Sequence, residues 1–448
     1  MTKRPTSRGA KRCLALMLCS AMLIGSAPAQ ARPTATFPMA PAPAVTRALV
    51  GGTIVDVESG KTIPDSVILI RGDRIVAVGS AAGVPIPADA QRLSMAGKWL
   101  MPGLINCHVH LGLVLPGAAG AALADETDPE LALRMADNAR RSLLSGVTTV
   151  RLTGEEHGVD FALKRAINAG EVAGPRIETA GEIIVPTGGH GMLEVNGPDG
   201  FAKAIREQVK LGASWIKIAI SGGIADSHGN IAAAPVTDAE MAAVSDVAGR
   251  LGVQIAAHNG SPIAAAQAMK YGVNSFEHGY FFTEQTLTDM KAKGVWLVPT
   301  IVVSQSGAQQ FFAKIGSPPW YLDRVKSVGK AHWAMLQNAI RIGVPIALGT
   351  DEMPYEPNEG TTATIREAEL YVEAGMTPLQ ALRAATVSAA RMLRLSADVG
   401  SLQPGHYADV IALDANPLSD IHALRGIGFV MKGGRIAVSG GDLPRPEL

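Results

Sequence analysis

Six side chains able to hold metal ions recur at the ends of apolar runs along the chain. His108 and His110 flank Val109, Lys217 sits within Trp-Ile-Lys-Ile-Ala-Ile, and His258 follows Gln-Ile-Ala-Ala. His278 follows Ser-Phe-Glu, and Asp351 follows Ala-Leu-Gly-Thr. Imidazole nitrogens and carboxylate oxygens suit a zinc-type cation. Residues two apart on a strand share a face, so His108 and His110 can bind one metal together. A lone His-x-His is weak, because two surface histidines look the same; the other four donors give it weight. Lys217 is the informative residue, since an ammonium in an apolar strand is costly without a partner. Either a carboxylate pairs with it, or the amine carries carbon dioxide as a carbamate, an anionic ligand able to bridge two cations.

These donors must be positioned by the elements that end on them. Strand-like runs are predicted at 99–105, 147–152, 176–184, 215–220, 253–257, 273–276, 295–301 and 344–348. Helical patterns separate them, with start signals at Thr237/Glu240, Ser261-Pro262 and Thr377-Pro378. Eight buried strands alternating with helices predict an α/β fold, a (β/α)8 TIM barrel with its chemistry at the C-terminal strand ends. Short β segments at 49–57, 66–71 and 74–78, and again at 408–413, 428–432 and 435–438, flank it. They predict a small β-sandwich domain built from the N- and C-terminal segments. The expected organisation is 46–100 and 398–448 for the sandwich and 101–397 for the barrel.

Composition supports a large globular enzyme: 448 residues, 47% hydrophobic and 18% charged, which excludes disorder and coiled coil. Residues 1–31 read as a signal peptide, with Lys3, Arg4, Arg8, Lys11 and Arg12 ahead of an apolar run and small-residue cleavage sites. That run is too short to span a bilayer, so no stable membrane insertion is expected. Leu18 before Cys19 argues against a lipid anchor. Residues 32–45, rich in Ala and Pro, read as a flexible leader. Cleavage takes five of the 40 basic residues and none of the 40 acidic ones, leaving a net charge of −5. Mild acidity without a basic stretch speaks against nucleic acid as a partner. Cys107 alone would remain, so no internal disulfide is expected in the exported protein, periplasmic or secreted.

The segments Met-Pro-Gly-Leu-Ile-Asn-Cys-His-Val-His (101–110), Gly-Val-Thr-Thr-Val-Arg (146–151), Gly-Pro-Arg (174–176), Thr-Gly-Gly-His-Gly (187–191) and Ile-Lys-Ile (216–218) resemble the amidohydrolase superfamily. So do Ser-Gly-Gly (221–223), Ala-His (257–258), Glu-His-Gly (277–279), Leu-Gly-Thr-Asp (348–351) and Pro-Gly-His-Tyr-Ala-Asp (404–409). Within it the chain is similar to the carboxypeptidase and prolidase-like branch, which includes aminoacyl-arginine dipeptidases and ochratoxin-hydrolysing enzymes. The resemblance implies two zinc ions per subunit, one on His108, His110 and Asp351, the other on His258 and His278. Carboxylated Lys217 and a hydroxide would bridge them, and Asp351 would move the proton from the attacking hydroxide to the leaving amine. It also implies a small-molecule amide or peptide substrate, such as a dipeptide or an N-acyl amino acid with ochratoxin A among the expected ones, and a homo-oligomer. Asn106 stands where the branch usually has Asp, Leu152 where an Asp often follows the arginine, and Val236 near a position where some relatives carry a substrate-contacting tyrosine, which puts the surroundings of the metals and the oxyanion donor in question.

His190, in the Gly-Gly-His-Gly loop, resembles the family's substrate-contacting histidine. His228 and Asp226 are weaker candidates, while His157, His332, His406 and His422 read as structural or surface residues. Cys107 reads as a buried small hydrophobe and Asp409 as structural. Phe311, Phe312 and Trp320, within 304–321, either wall the pocket or pack helices; a wall would favour an aromatic or bulky apolar substrate group. The rival enzymes are a one-metal imidazolone hydrolase or deaminase, lineages that lack a bridging lysine, and a two-metal lactonase or phosphotriesterase. An inactive envelope binding protein is the rival of another class, although it would be expected to have lost a ligand.

Overall fold

The structure is a computed structural model that describes residues 45–227 and 229–439. The expected signal peptide, residues 32–44 of the leader, and His228 lie outside the described residues. Among the described residues no helix is long and apolar enough to cross a membrane.

Seven central strands follow the predicted apolar runs: β1 (Leu104–Val109), β2 (Val147–Leu152), β3 (Arg176–Thr179), β4 (Trp215–Ala219), β5 (Gln254–Asn259), β6 (Ser275–His278) and β7 (Trp296–Val298). Most are buried along their whole length, as expected for parallel strands covered on both faces. Parallel ladders join β1 to β2 to β3, and β4 to β5 to β6 to β7. The Ser214 amide donates to Thr179 O at 3.0 Å between the two sets. The intervening helices start where expected: Thr237 Oγ1 accepts from the Glu240 amide, Ser261 Oγ from Ala264 and Thr377 Oγ1 from Gln380.

Three predicted strands differ in detail. The run 99–105 is broken at Gly103, where a Cβ would overlap the Thr148 side chain; Trp99–Pro102 pairs instead with Val410–Leu413. The run 176–184 turns at Gly181 (φ 66°), and Ile184–Val185 pairs onward with Leu193–Glu194. The run 344–348 forms only one bridge, Ile346 to Leu297, because Pro345 has no amide to extend a ladder. It still connects both sides: the Ala347 amide donates to Leu297 O at 3.0 Å and the Cys107 amide to Leu348 O at 2.7 Å.

The terminal segments share one eight-stranded sheet. Its order is Arg435–Ser439, Ile427–Lys432, Val410–Leu413, Trp99–Pro102, Thr46–Val55, Thr62–Arg71 and Arg74–Ser80, with Gln91–Ser94 also against Thr46–Val55. Leu49, Ile68, Ile70 and Leu100 from one end of the chain pack with Phe429, Met431 and Ile436 from the other.

Candidate active site

The strand ends bring the sequence-predicted residues into one pocket of about 270 Å³, lined by His108, His110, Lys217, His258, His278, Asp351 and His190. His108 and His110 Nε2 lie 3.2 and 3.1 Å from Asp351 Oδ1. One ligand atom from each of these three falls within 4.8 Å of the others, a set able to hold a metal ion. His278 Nδ1 lies 3.9 Å from Asp351 Oδ2, and the imidazoles form a chain: ring centres are 5.0 Å apart for His108–His278, 4.6 Å for His278–His258 and 4.5 Å for His258–His190.

The remaining ring nitrogens are anchored, which fixes where the free lone pairs point. His108 Nδ1 donates to Glu277 Oε2 at 2.8 Å and His110 Nδ1 to Gly154 O at 2.6 Å. His278 Nδ1 bonds Thr300 Oγ1 at 2.7 Å, and His258 Nε2 donates to Gly222 O at 3.1 Å. His278, Thr300 and Asp351 all adopt left-handed backbone (φ 68°, 49° and 57°), costly conformations that concentrate at working sites.

Burial holds His258 and His278 well below the usual histidine range and takes His190 down to about 4, leaving neutral rings with lone pairs. Burial and the neighbouring Lys217 lower His108 as well. His110 is raised instead, because the Asp351 hydrogen bond and charge outweigh its burial. Burial pushes Lys217 down to about 8. Lys217 forms no ion pair within 4 Å among the described residues, and the charges of Glu277 and Asp351 act on it from further off.

Sequence reasoning missed the support beneath this cluster. Arg151 and Glu277 are fully buried and pair at 2.8 Å. Arg151 Nε also donates to Cys107 O at 2.6 Å, and Ser275 Oγ donates to Glu277 Oε1 at 2.7 Å. Burial would raise the Glu277 carboxyl, but the Arg151 charge and the His108 hydrogen bond hold it below the usual range. Both residues interrupt apolar strands, the same signal that singled out Lys217. Two further buried carboxylates hold neighbouring backbone: Glu155 accepts from the Leu111 and Gly112 amides, and Glu367 from those of Ile301 and Val302.

Phe311, Phe312 and Tyr321 wall the pocket together with Val303, Ile224 and Leu115. Trp320 does not line it but stacks on Tyr321 from behind. Tyr280 stacks parallel to His278, and the ring of His190 lies where a Cβ on Gly223 would stand. Asn106 donates to Thr350 and Thr364 hydroxyls at 2.9 and 3.0 Å, so it ties β1 to the segment bearing Asp351. Val236 is buried, and Cys107 is a buried free thiol. His332 is buried and structural: Ser304 Oγ bonds its Nδ1 at 2.8 Å, and its Nε2 donates to Pro299 O at 2.8 Å.

The amidohydrolase family profile matches residues 99–437, and the chain belongs to that family of amide-bond hydrolases. Ochratoxinase from Aspergillus niger is 30% identical over 421 residues, covering 82% of each chain. A solved prolidase complexed with N-methylphosphonate-L-proline is 30% identical, with a TM-score of 0.81 over 88% of this chain and 100% of its own. A Xaa-Pro dipeptidase with bound methionine in its active site is 29% identical, with a TM-score of 0.79 over 87% of this chain and 99% of its own.

Proposed function

We propose that the protein is an exported binuclear zinc amidohydrolase that cleaves the amide bond to the C-terminal amino acid of dipeptides or N-acyl amino acids. Ochratoxin A, an N-acyl phenylalanine, falls within that substrate class. The observation that carries the reading is the convergence of six metal-binding donors and His190 on one pocket with an aromatic wall. The fold proposed for it is a (β/α)8 barrel, with 344–348 as the eighth segment between β7 and β1, and a β-sandwich formed from 46–100 and 398–448.

His108, His110 and Asp351 would hold one zinc and His258 and His278 the other, with carboxylated Lys217 between them; nitrogen and carboxylate donors of this kind fit zinc. When bound, such ions lower the pKa of water and polarise a carbonyl. Asp351 takes up a proton at its carboxylate and returns it to the amide nitrogen, which leaves poorly without it. His190 contacts the substrate, while Phe311, Phe312 and Tyr321 receive its apolar group and exclude water. The lowered pKa of Lys217 supports the carbamate, because the neutral amine is the form that reacts with carbon dioxide.

The test is metal content per chain on purified protein and on Lys217→Ala, with hydrolysis assayed over a panel of acyl and peptidyl amino acids. The expected result is about two zinc per chain, falling in the variant together with activity. One metal per chain, unchanged by the substitution, or no cleavage of any panel member, would overturn the reading.

A further inference from the structure

A second cavity, of about 630 Å³, borders the N-terminal end of β3 and shares no lining residue with the histidine cluster. Arg176, the first residue of β3, lines it together with Lys432 and Arg435. Lys432 and Arg435 are register partners across the Gly433-Gly434 turn, and like charges directly opposite destabilise a sheet. Neither forms an ion pair among the described residues. Arg176 Nη2 pairs with Asp409 at 3.5 Å, while its Nε is buried without a hydrogen-bond partner. The Tyr407 ring carries the guanidinium groups of Arg176 and Arg74 at 3.7 and 3.5 Å, contacts that supply no hydrogen-bond acceptor.

Buried Asp409 offsets part of this charge, through Arg176 and Lys432, and the carboxylates bordering the cavity are engaged elsewhere or exposed. Asp398 is paired with Arg74 at 2.5 Å, Glu178 lies 3.6 Å from Lys164 and accepts from Ser214, and Asp73 and Glu171 are exposed. Burial, followed by the charge of Arg176, pushes Lys432 down to about 8. Lys432 is the desolvated member of the three, and a fold that needed only stability at its position would do better with an apolar residue, because partly compensated buried charge is costly.

We propose that this cavity binds a small molecule through an oxyanion group, carboxylate or phosphate, held by Lys432, Arg435 and Arg176. Two guanidinium groups and an ammonium suit either oxyanion, and the volume accommodates a metabolite-sized molecule.

The test titrates inorganic phosphate, and separately succinate, into wild-type protein and K432Q/R435Q at constant ionic strength maintained with chloride, read by calorimetry. Saturable binding of at least one probe is expected in the wild type, weakened tenfold or more in the double variant and restored in K432R/R435K. Binding of a probe at the histidine cluster is common to all three proteins and cancels in the comparison. Tighter phosphate than succinate assigns a phosphate ligand, and the reverse a carboxylate ligand. Should the double variant fail to fold, Arg435→Gln, at an exposed side chain, is expected to weaken binding at least threefold. Equal affinity in wild type and variant, or no saturable binding of either probe, overturns the proposal.

Discussion

Replacing Arg151 with leucine is expected to cost the protein about 5 kcal/mol. Arg151 and Glu277 are both fully buried, and each makes hydrogen bonds besides the pair. Removing one partner of such a pair leaves an uncompensated buried charge, at about 3–5 kcal/mol. The Cys107 carbonyl also loses its arginine donor, about 1 kcal/mol. Replacing both residues with leucine removes the orphaned charge, so the double variant should be less damaged than the two single losses combined, with a coupling of about 2–3 kcal/mol. Glu277 bound to Arg151 stabilises the fold above the ordinary glutamate range, and that stability fades as pH falls towards its depressed folded pKa. In Arg151→Leu the carboxyl loses the Arg151 charge that opposes its burial and keeps only the weaker His108 and Lys217 influences, so its pKa rises and the variant's deficit should shrink between pH 7.5 and pH 5. Urea unfolding of the metal-free proteins at both pH values measures this. A loss under about 1 kcal/mol, or additive single variants, would refute the reasoning.

Three shorter predictions follow from neighbouring contacts. Burial lowers His332 to about 4, so between that value and an unfolded pKa near 6.5 the unfolded chain binds more protons. Stability should therefore fall by about 3 kcal/mol as pH drops through that window, and His332→Gln should flatten the acid limb of a urea-stability profile. Gly223→Ala should displace His190, lowering kcat/KM tenfold or more while metal content stays unchanged, as measured by steady-state kinetics and metal analysis. Phe311→Ala should raise KM for substrates with a large aromatic group, by about 10-fold or more, relative to those with a small one, since burying such a ring contributes about 1.5–3 kcal/mol.

The grouping of these donors in one pocket was legible because most of them close an apolar run, and strand periodicity then decides which way each points. Lys217 was legible as a charge in an apolar strand. Arg151 and Glu277 carry that same mark, but a linear sequence does not say that two such charges, on β2 and β6, meet beneath His108. The break at Gly103 depends on Thr148 of the neighbouring strand, and the irregular 344–348 segment on the missing amide of Pro345. The aromatic stretch announced a wall or a helix contact equally well, and only the fold separates Phe311, which lines the pocket, from Trp320, which backs Tyr321.

The shared terminal sheet has a consequence for how the chain comes into being. Trp99–Pro102 is flanked by Thr46–Val55 on one side and Val410–Leu413 on the other. A growing chain therefore carries an open strand edge, with Leu49, Ile70 and Leu100 lacking their cover, until about three hundred further residues have been synthesised and residues 410–439 arrive. Vectorial synthesis cannot finish this part of the protein first, so its earliest strands are among the last to be sealed. Removing the final hairpin should accordingly harm the beginning of the chain as much as its end, leaving a sticky nascent product that depends on chaperones for as long as its two ends stay apart.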